Sequence, residues 1–483
     1  MASALPQPDV KQERTQRMLL WLVALGFFMQ TLDATIVNTA LPAMARSLGE
    51  SPLRMQSVVV AYSLTMAMLI PASGWMADRF GTRRVYVGAI VLFVIGSVLC
   101  AMSASVTMLV AARVVQGAGG ALLLPVGRLV VLRNFPRERF LQAMSFVAVP
   151  GLVGPLVGPT LGGWLVEAAS WHWIFLINLP VGALGALATL RYMPGPPAAV
   201  QARFDLAGYL LLAFGMVTLS LALDGLSSLG LRQAAVLLLM IFGLASLTAY
   251  WLHALRRPDP LFSPRLFRVG SLRIGLLGNL FSRLGSSCMP FLIPLLLQVT
   301  MGYSPAQAGM MMLPVAIASM SMKRITTPLI LRHGYRKVLV VNTCLVGLTM
   351  ASFVFAAPGQ PLAVRIVQLA LFGAVNSMQF TAMNTLTLKD LEPGTASSGN
   401  SLLSMVQMLA MSMGVAAAGA VLAAFTAHYG MDGVQTLQAF RATFGCMALI
   451  TVVSAAVFWQ LAPEDSRALP VPPVHEQDVP EPT

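Results

Sequence analysis

The chain has 483 residues, 57% of them hydrophobic and only 10% charged, with a mean hydropathy of +0.76. A water-soluble domain lacks the polar surface to cover that much apolar material, so the composition excludes one and points to a membrane protein. The net charge of +13 comes without contiguous basic runs interleaved with aromatics, so it carries no nucleic-acid signal.

Windows of about 20 apolar residues, the length that crosses a bilayer core, recur from Met18 almost to Leu461. Fourteen are read, near 18–41, 53–76, 85–104, 107–131, 140–166, 171–193, 204–224, 233–253, 271–299, 305–330, 336–356, 362–386, 396–424 and 439–462. The segments lack the alternating pattern of an outer-membrane barrel, and a helix satisfies its own backbone, so an all-α polytopic fold is expected. Residues 1–17 are polar and lead into a span without a small-residue cleavage site, which predicts an uncleaved start in the cytoplasm.

Loop charge supports that orientation. The connections placed inside carry Arg79, Arg83, Arg84, Arg133, Arg137, Arg139, Arg203, Arg256, Arg257, Arg265, Arg268, Arg332, Arg336 and Lys337, against chiefly Arg46, Arg54 and Arg232 outside. By the positive-inside rule, an even span count then puts both termini in the cytoplasm.

The first span holds Asp33, a carboxylate that costs several kcal/mol at membrane depth and is kept mainly for work. The first helix runs outward with Asp33 about 12 Å from its outer end, and the fourth runs inward with Arg113 about 10 Å from its own. Opposite charges at equal depth in one bundle should pair. Such a pair either takes up a proton when it separates or serves as a static register device.

The second span ends in Gly74-Trp75-Met76-Ala77-Asp78-Arg79-Phe80-Gly81-Thr82-Arg83-Arg84, a basic turn with a carboxylate at the helix end. In the fifth, Gly154, Gly158 and Gly162 repeat every four residues beside Pro155, Pro159 and Gly163. That spacing makes one smooth, bent face another helix can approach closely, for ordinary packing or for opening between halves.

Arg283 lies about 12 residues into the ninth span, near the midplane. It cannot titrate usefully, so it is expected to bind an anionic group or to pair with Asp33 across the molecule. Asn38, Gln116, Asn279, Asn376, Gln379, Asn384 and Gln407 are candidates for a polar cavity, with helix–helix hydrogen bonding as the alternative for each. Arg128, Lys323 and Arg324 read as snorkelling anchors, and Glu167 and Asp224 as solvated. The four cysteines stand singly and read as packing residues; the tail from Pro463 reads as disordered.

An internal repeat organises these features. The turn at 74–84 is echoed by Thr327 to Lys337, Arg113-Val-Val-Gln116 returns as Arg365-Ile-Val-Gln368, and Pro42 matches Pro294, all at an offset near 253. The chain therefore divides into a segment 1–17, a six-helix bundle 18–193, a linker 194–270 with two extra spans, a second bundle 271–462, and a tail 463–483. Two facing bundles enclose a midplane cavity, the architecture of an alternating-access carrier.

These motifs resemble the major facilitator superfamily, and within it the fourteen-span drug:proton antiporters. Asp33 to Pro42, Gly74 to Arg84, Arg113 to Gly119, Gly151 to Gly163 and the run Trp171 to Pro180 carry the likeness, which spans the chain. The resemblance implies proton-coupled exchange in a bacterial inner membrane, for which the Asp33 and Arg113 pair is the candidate coupling site. It implies a cytoplasmic latch formed by Gly74, Asp78, Arg79, Gly81, Arg83 and Arg84, which only the first half retains because Leu331 replaces Asp78. The glycine-proline motif accompanies exchange rather than cotransport.

No phosphate loop, HExxH, metal cluster or nucleophile elbow occurs, so an ion gradient must supply the energy and an enzyme is not expected. The expected function is proton-coupled efflux of small molecules such as drugs, by a monomer without cofactor, metal or nucleic-acid partner. Because Asp33 is opposed by Arg113 and Arg283, an exporter of organic anions such as citrate or metal-citrate chelates is the alternative. A sensor or assembly subunit that kept the fold is a third reading, disfavoured by the absence of a signalling domain.

Overall fold

The computed structural model describes residues 10–135, 137–195, 204–225, 233–392, 395–430 and 432–462. The expected disordered tail and most of the polar N-terminal segment lie outside the described residues. Helices make up the described chain, with no strand among them. We label the fourteen long segments α1 (Val10–Ser47), α2 (Pro52–Phe80), α3 (Thr82–Ala101), α4 (Val106–Asn134), α5 (Arg137–Ala168), α6 (Trp173–Tyr192) and α7 (Leu206–Gly225). The series continues with α8 (Gln233–Arg256), α9 (Gly270–Val299), α10 (Leu313–His333), α11 (Tyr335–Phe355), α12 (Leu362–Leu388), α13 (Ala396–Tyr429) and α14 (Gly433–Trp459). Twelve are long and apolar enough to cross a membrane. The other two, α5 and α10, have 32 and 21 residues, which at 1.5 Å per residue also suffices for a core of about 30 Å.

Local sequence sets where the helices start and bend. Ser105 caps α4 by accepting from the Met108 amide at 3.2 Å, and Ser304 and Gln307 form a reciprocal capping box before a short helix, Pro305–Met310. Pro71 interrupts α2 with a 3-10 turn, and α9 breaks at Ser287–Cys288 just before Pro290. Gly81 and Gly334 occupy the same place in the two repeats and both have positive φ, 84° and 77°, so each supplies the left-handed residue between two helices.

Within the first half α1 packs on α5, α3 on α4 and α2 on α4; within the second, α10 packs on α12, α9 on α13 and α11 on α14. The largest apolar cluster belongs to both halves. It joins Ile36, Leu41 and Val58 to Leu292, Leu295 and Phe440 toward the end predicted to face outward.

The two extra helices sit against this pair rather than apart from it. α7 packs on both α2 and α13, with Ser220 and Ser412 hydroxyls 3.1 Å apart and Gln56 donating to Asp224 at 3.4 Å. Asp224 is 5% exposed, which corrects its reading as a solvated residue. α8 lies outside α7 and leaves Leu237, Leu238, Ile241, Phe242 and Leu244 exposed, as a lipid-facing helix should. Of the cysteines, Cys100 and Cys288 are buried as expected, while Cys344 is exposed.

Asp205 fastens the start of α7 to the end of α8. It is 2% exposed and accepts from His253 Nε2 at 2.8 Å, the Gly208 amide at 3.1 Å and the Leu261 amide at 3.3 Å, with Arg257 at 3.7 Å. Burial alone raises the carboxyl, but these donors outweigh it and hold it below the usual aspartate range. A depressed folded pKa adds stability above the unfolded value of about 3.9 and loses it as pH falls through the folded one. Asp205→Asn should therefore lower the melting temperature at pH 7, and the gap to the unsubstituted protein should close below about pH 4. An equal gap at pH 7 and pH 3 would contradict this.

Candidate functional site

Asp33 lies on the face of α1 turned toward α4 and is 0% exposed. Arg113 is 1% exposed, and its Nη1 lies 2.6 Å from Asp33 Oδ2, the pairing that the depth comparison predicts. One helical turn along α4, Gln116 reaches the same site, since residues three apart share a face. Its Nε2 donates to Asp33 Oδ1 at 2.7 Å and to Ser97 Oγ at 2.9 Å, and its Oε1 accepts from Arg113 Nη1 at 2.6 Å. Asn178 of α6 donates to Asp33 Oδ1 and to Ser97 Oγ, both at 3.3 Å. From α2, the Val58 carbonyl accepts from Arg113 Nε at 3.3 Å and the Tyr62 ring lies 4.1 Å from the guanidinium carbon.

Five helices thus surround one ion pair. Removing one partner of such a pair typically costs about 3–5 kcal/mol, because the other charge is left buried. Sequence reasoning misses Ser97, Asn178 and Tyr62. Asn178 carries the one available signal, an amide inside the apolar run Ile174 to Pro180.

The glycines of α5 meet this site from behind. A Cβ on Gly154 would collide with Thr31, on Gly158 with Thr35 and on Gly162 with Ile36, all in α1. The stripe therefore packs within the first half, on the stretch of α1 that contains Asp33, and not between the halves. Only Gly163 faces across: its Cβ would collide with the Pro305 carbonyl. Pro155 and Pro159 lie inside the same helix.

The basic turn forms its contacts within the first half too. Asp78 pairs with Arg133 in the last turn of α4, both half-exposed, and Arg83 donates to the Leu190 carbonyl near the end of α6. Arg79 and Arg84 are exposed with no ion pair among the described residues, and Gly74 has open space around it.

In the second half the repeat is preserved in sequence but not in chemistry. Arg365 donates to Tyr303 Oη and, at 2.9 Å, to the Ala357 carbonyl, and Gln368 donates to Ser352 Oγ at 2.9 Å. No carboxylate answers Arg365 among the described residues, because the position that matches Asp33 at the same offset as Arg113 to Arg365 is Gly285. Gln379, 1% exposed, accepts from Asn342 at 2.8 Å and donates to Thr343 at 2.6 Å, tying α12 to α11. Gln116 and Gln379 therefore serve helix–helix bonding here, rather than lining an open cavity.

Arg283 does not pair with Asp33. Its Nε donates to Asn279 Oδ1 at 3.2 Å, its guanidinium carbon lies 4.5 Å from the Phe380 ring, and its Nη2 is buried without a partner. Gln407 donates to Asn279 at 3.4 Å and to Asn384 at 2.6 Å beside it. Asn38 is 5% exposed with its Oδ1 unpartnered, and Asn376 is half-buried.

Direct hydrogen bonds between the halves cluster at the predicted outer end. Gln298 donates to the Thr39 carbonyl at 2.9 Å, Thr160 to the Gly309 carbonyl at 3.3 Å, and Ser304 and the Ala306 amide to Glu167 at 2.8 and 3.2 Å. Glu167 is exposed, yet it is a cross-half contact rather than a merely solvated residue. Toward the predicted inner end, Arg128 Nη1 donates to Asn400 at 3.2 Å, so Arg128 joins the halves instead of snorkelling.

Comparison with known proteins matches residues 23–415 to the model of the Major Facilitator Superfamily. A protein of Serratia proteamaculans (strain 568) named "Putative multidrug resistance protein MdtD" is 52% identical over 450 residues, 93% of this chain and 94% of its own. One of the same name from Yersinia pestis (strain Pestoides F) is 50% identical over 457 residues, 94% and 98% of the two chains. Among solved structures, a POT family transporter in complex with 5-aminolevulinic acid superposes with a TM-score of 0.69 at 16% identity, covering 94% of this chain and 97% of that one. The human organic anion transporter MFSD10 (TETRAN) gives 0.62 at 16% identity, covering 92% and 99%. At that identity the likeness concerns the fold alone.

Proposed function

The chain belongs to the Major Facilitator Superfamily and is a multi-pass membrane transporter, and from that premise we propose that it exports small molecules, drugs among them, in exchange for protons. It works as a monomer in a bacterial inner membrane with both termini in the cytoplasm. The observation that carries the coupling is Asp33, a fully buried carboxylate whose partners are Arg113, Gln116 and Asn178. The guanidinium compensates the carboxylate while the helices are together; once they part, a lone charge at membrane depth is costly unless it takes a proton. Proton uptake and helix movement are then the same event. The direct hydrogen bonds between the halves cluster at their predicted outer ends while α2 and α13 stay packed along α2 from end to end, and that bonding pattern fits an inward-facing arrangement waiting for cargo. The glycine stripe holds α1 at a fixed distance from α5, and the Asp78–Arg133 pair secures the α2–α3 turn as a latch.

The test is a proteoliposome assay with the purified full chain and a panel of dyes, antibiotics and carboxylates. An imposed inward proton gradient should drive cargo uphill, with protons released in return. Cargo movement indifferent to the proton gradient would overturn the reading.

Arg283 favours a second reading of the cargo. It presents a buried, unpartnered guanidinium nitrogen beside Asn279, Gln407 and Asn384, with no carboxylate paired to it among the described residues. Such a site suits a carboxylate, as in an organic-anion exporter of citrate or metal-citrate chelates. Arg283→Ala should reduce anion export by about 10- to 100-fold, the worth of one charge-assisted contact, and spare neutral drugs. Cationic dyes that prove the best cargo and tolerate that change would remove the anion reading.

A further inference from the structure

The segment that follows α8 folds into a cavity of about 620 Å³ lined by Trp251, Arg257, Arg265, Phe267, Arg268 and Arg273 among others. That volume lies within the range of about 300–1,000 Å³ usual for ligand sites. The residues come from three places: the end of α8, the 3-10 turn Pro264–Arg268, and the first turn of α9. Ser263 caps the turn by accepting from the Arg265 amide at 3.3 Å, and the Trp251 and Phe267 rings meet edge to face at 5.3 Å. The turn itself is seated by Phe262 and Leu266, each 4% exposed, so the arginines stand on a built platform.

The electrostatics are one-sided. Arg257 shares Asp205, at 3.7 Å, with His253. Arg265, Arg268 and Arg273 are exposed and form no ion pair with a carboxylate among the described residues. Three unneutralised guanidinium groups around one concavity repel each other unless an anion sits between them. Guanidinium forks match phosphate oxygens in particular.

We propose that this cavity is a binding site for the phosphate-diester headgroup of an anionic phospholipid. The phosphate could equally be free in solution, but the surroundings commit the site to a lipid. Leu252 and Leu255 are 50% and 58% exposed on α8 beside the arginines, and Phe242 and Leu244 continue the apolar surface along the same helix. Acyl chains leaving the headgroup follow that surface, while Trp251 sits at the level where indole rings prefer the membrane interface. The cavity lies at the face that the loop arginines predict to be cytoplasmic, where the arginines meet anionic headgroups. The extra helix pair thereby acquires a role, because α8 and its connection hold a lipid against the start of α9, the helix that carries Arg283.

The experiment uses the full chain, purified and stripped of lipid in neutral detergent, with phosphatidylglycerol, phosphatidylcholine and inorganic phosphate as separate probes. Phosphatidylglycerol should raise the melting temperature saturably, and native mass spectrometry should show one retained molecule more than with phosphatidylcholine. With each arginine worth about fivefold, a variant combining Arg265→Gln, Arg268→Gln and Arg273→Gln should bind phosphatidylglycerol on the order of a hundredfold more weakly. A charge-matched control, Arg332→Gln with Arg336→Gln and Lys337→Gln, should bind as the unsubstituted protein does. Equal effects of phosphatidylcholine, an equal loss in the control, or a full shift with inorganic phosphate alone would each overturn the lipid site.

Discussion

Asp33→Asn is expected to reduce proton-driven export to the level of protein-free liposomes while leaving gradient-independent leakage of cargo unchanged. The amide occupies nearly the same volume, and Gln116 and Asn178 stay within reach of it at 2.7 and 3.3 Å in the carboxylate form. What disappears is the group that changes charge. Arg113 is then left as an uncompensated cation, a defect of about 3–5 kcal/mol in a buried pair. Its remaining bonds to Gln116 and the Val58 carbonyl, and its place against Tyr62, offset part of that. The loss of export must be separated from any loss of fold, and a second variant does so. Joining Asp33→Asn to Arg113→Leu removes both charges, which is often neutral or stabilising for a buried pair. The double variant should regain the melting temperature and remain dead for coupled export. Uphill transport at the unsubstituted rate by Asp33→Asn would end the assignment of Asp33 as the proton site.

Gly158→Leu should be nearly as damaging by a different route. Its Cβ would collide with Thr35 Oγ1 and lie 3.3 Å from the Ile36 amide nitrogen, so α1 must move off α5 or the new side chain must distort both helices. Overpacking of this kind costs about 1–3 kcal/mol or more. The displaced stretch of α1 holds Asp33, and a shift of about 1 Å is enough to break hydrogen bonds of 2.6–2.7 Å. We expect a lower melting temperature together with at least a tenfold fall in export. Gly88→Leu in α3 provides the internal control, since nothing lies within 4 Å of a Cβ there and stability should not change. Adding Thr35→Ala to Gly158→Leu removes the nearest clashing atom and should recover part of both losses. No recovery, with normal export by Gly158→Leu alone, would show that the stripe does not set the position of α1.

Much of this arrangement is legible along the chain. The apolar windows locate every long helix, including α10, where Lys323 and Arg324 lower the apolarity of the span. The first helix starts at Val10, earlier than hydropathy predicts, because helical backbone continues through polar residues that hydropathy excludes. Side-chain partners are less legible. Arg128 reads as an anchor because it lies near a helix end, and only the approach of α13 supplies Asn400. Asp224 reads as solvated for the same reason, until α7 and α2 bring it to Gln56.

The sequence by itself determined the helical class, the internal repeat and the equal depth of Asp33 and Arg113, because a helix rises by a fixed 1.5 Å per residue and depth can be counted. It left Arg283 open as a second partner for Asp33, and the structure chose Arg113. Azimuth and neighbour identity cannot be counted in that way. Which helix the Gly154–Gly162 face meets, why Gln116, Ser97 and Asn178 converge on one carboxylate, and where Arg283 finds Asn279 all depend on how helices far apart in sequence pack. Those choices are made by shape and by the requirement that buried polar groups find partners. Only the tertiary structure decided them.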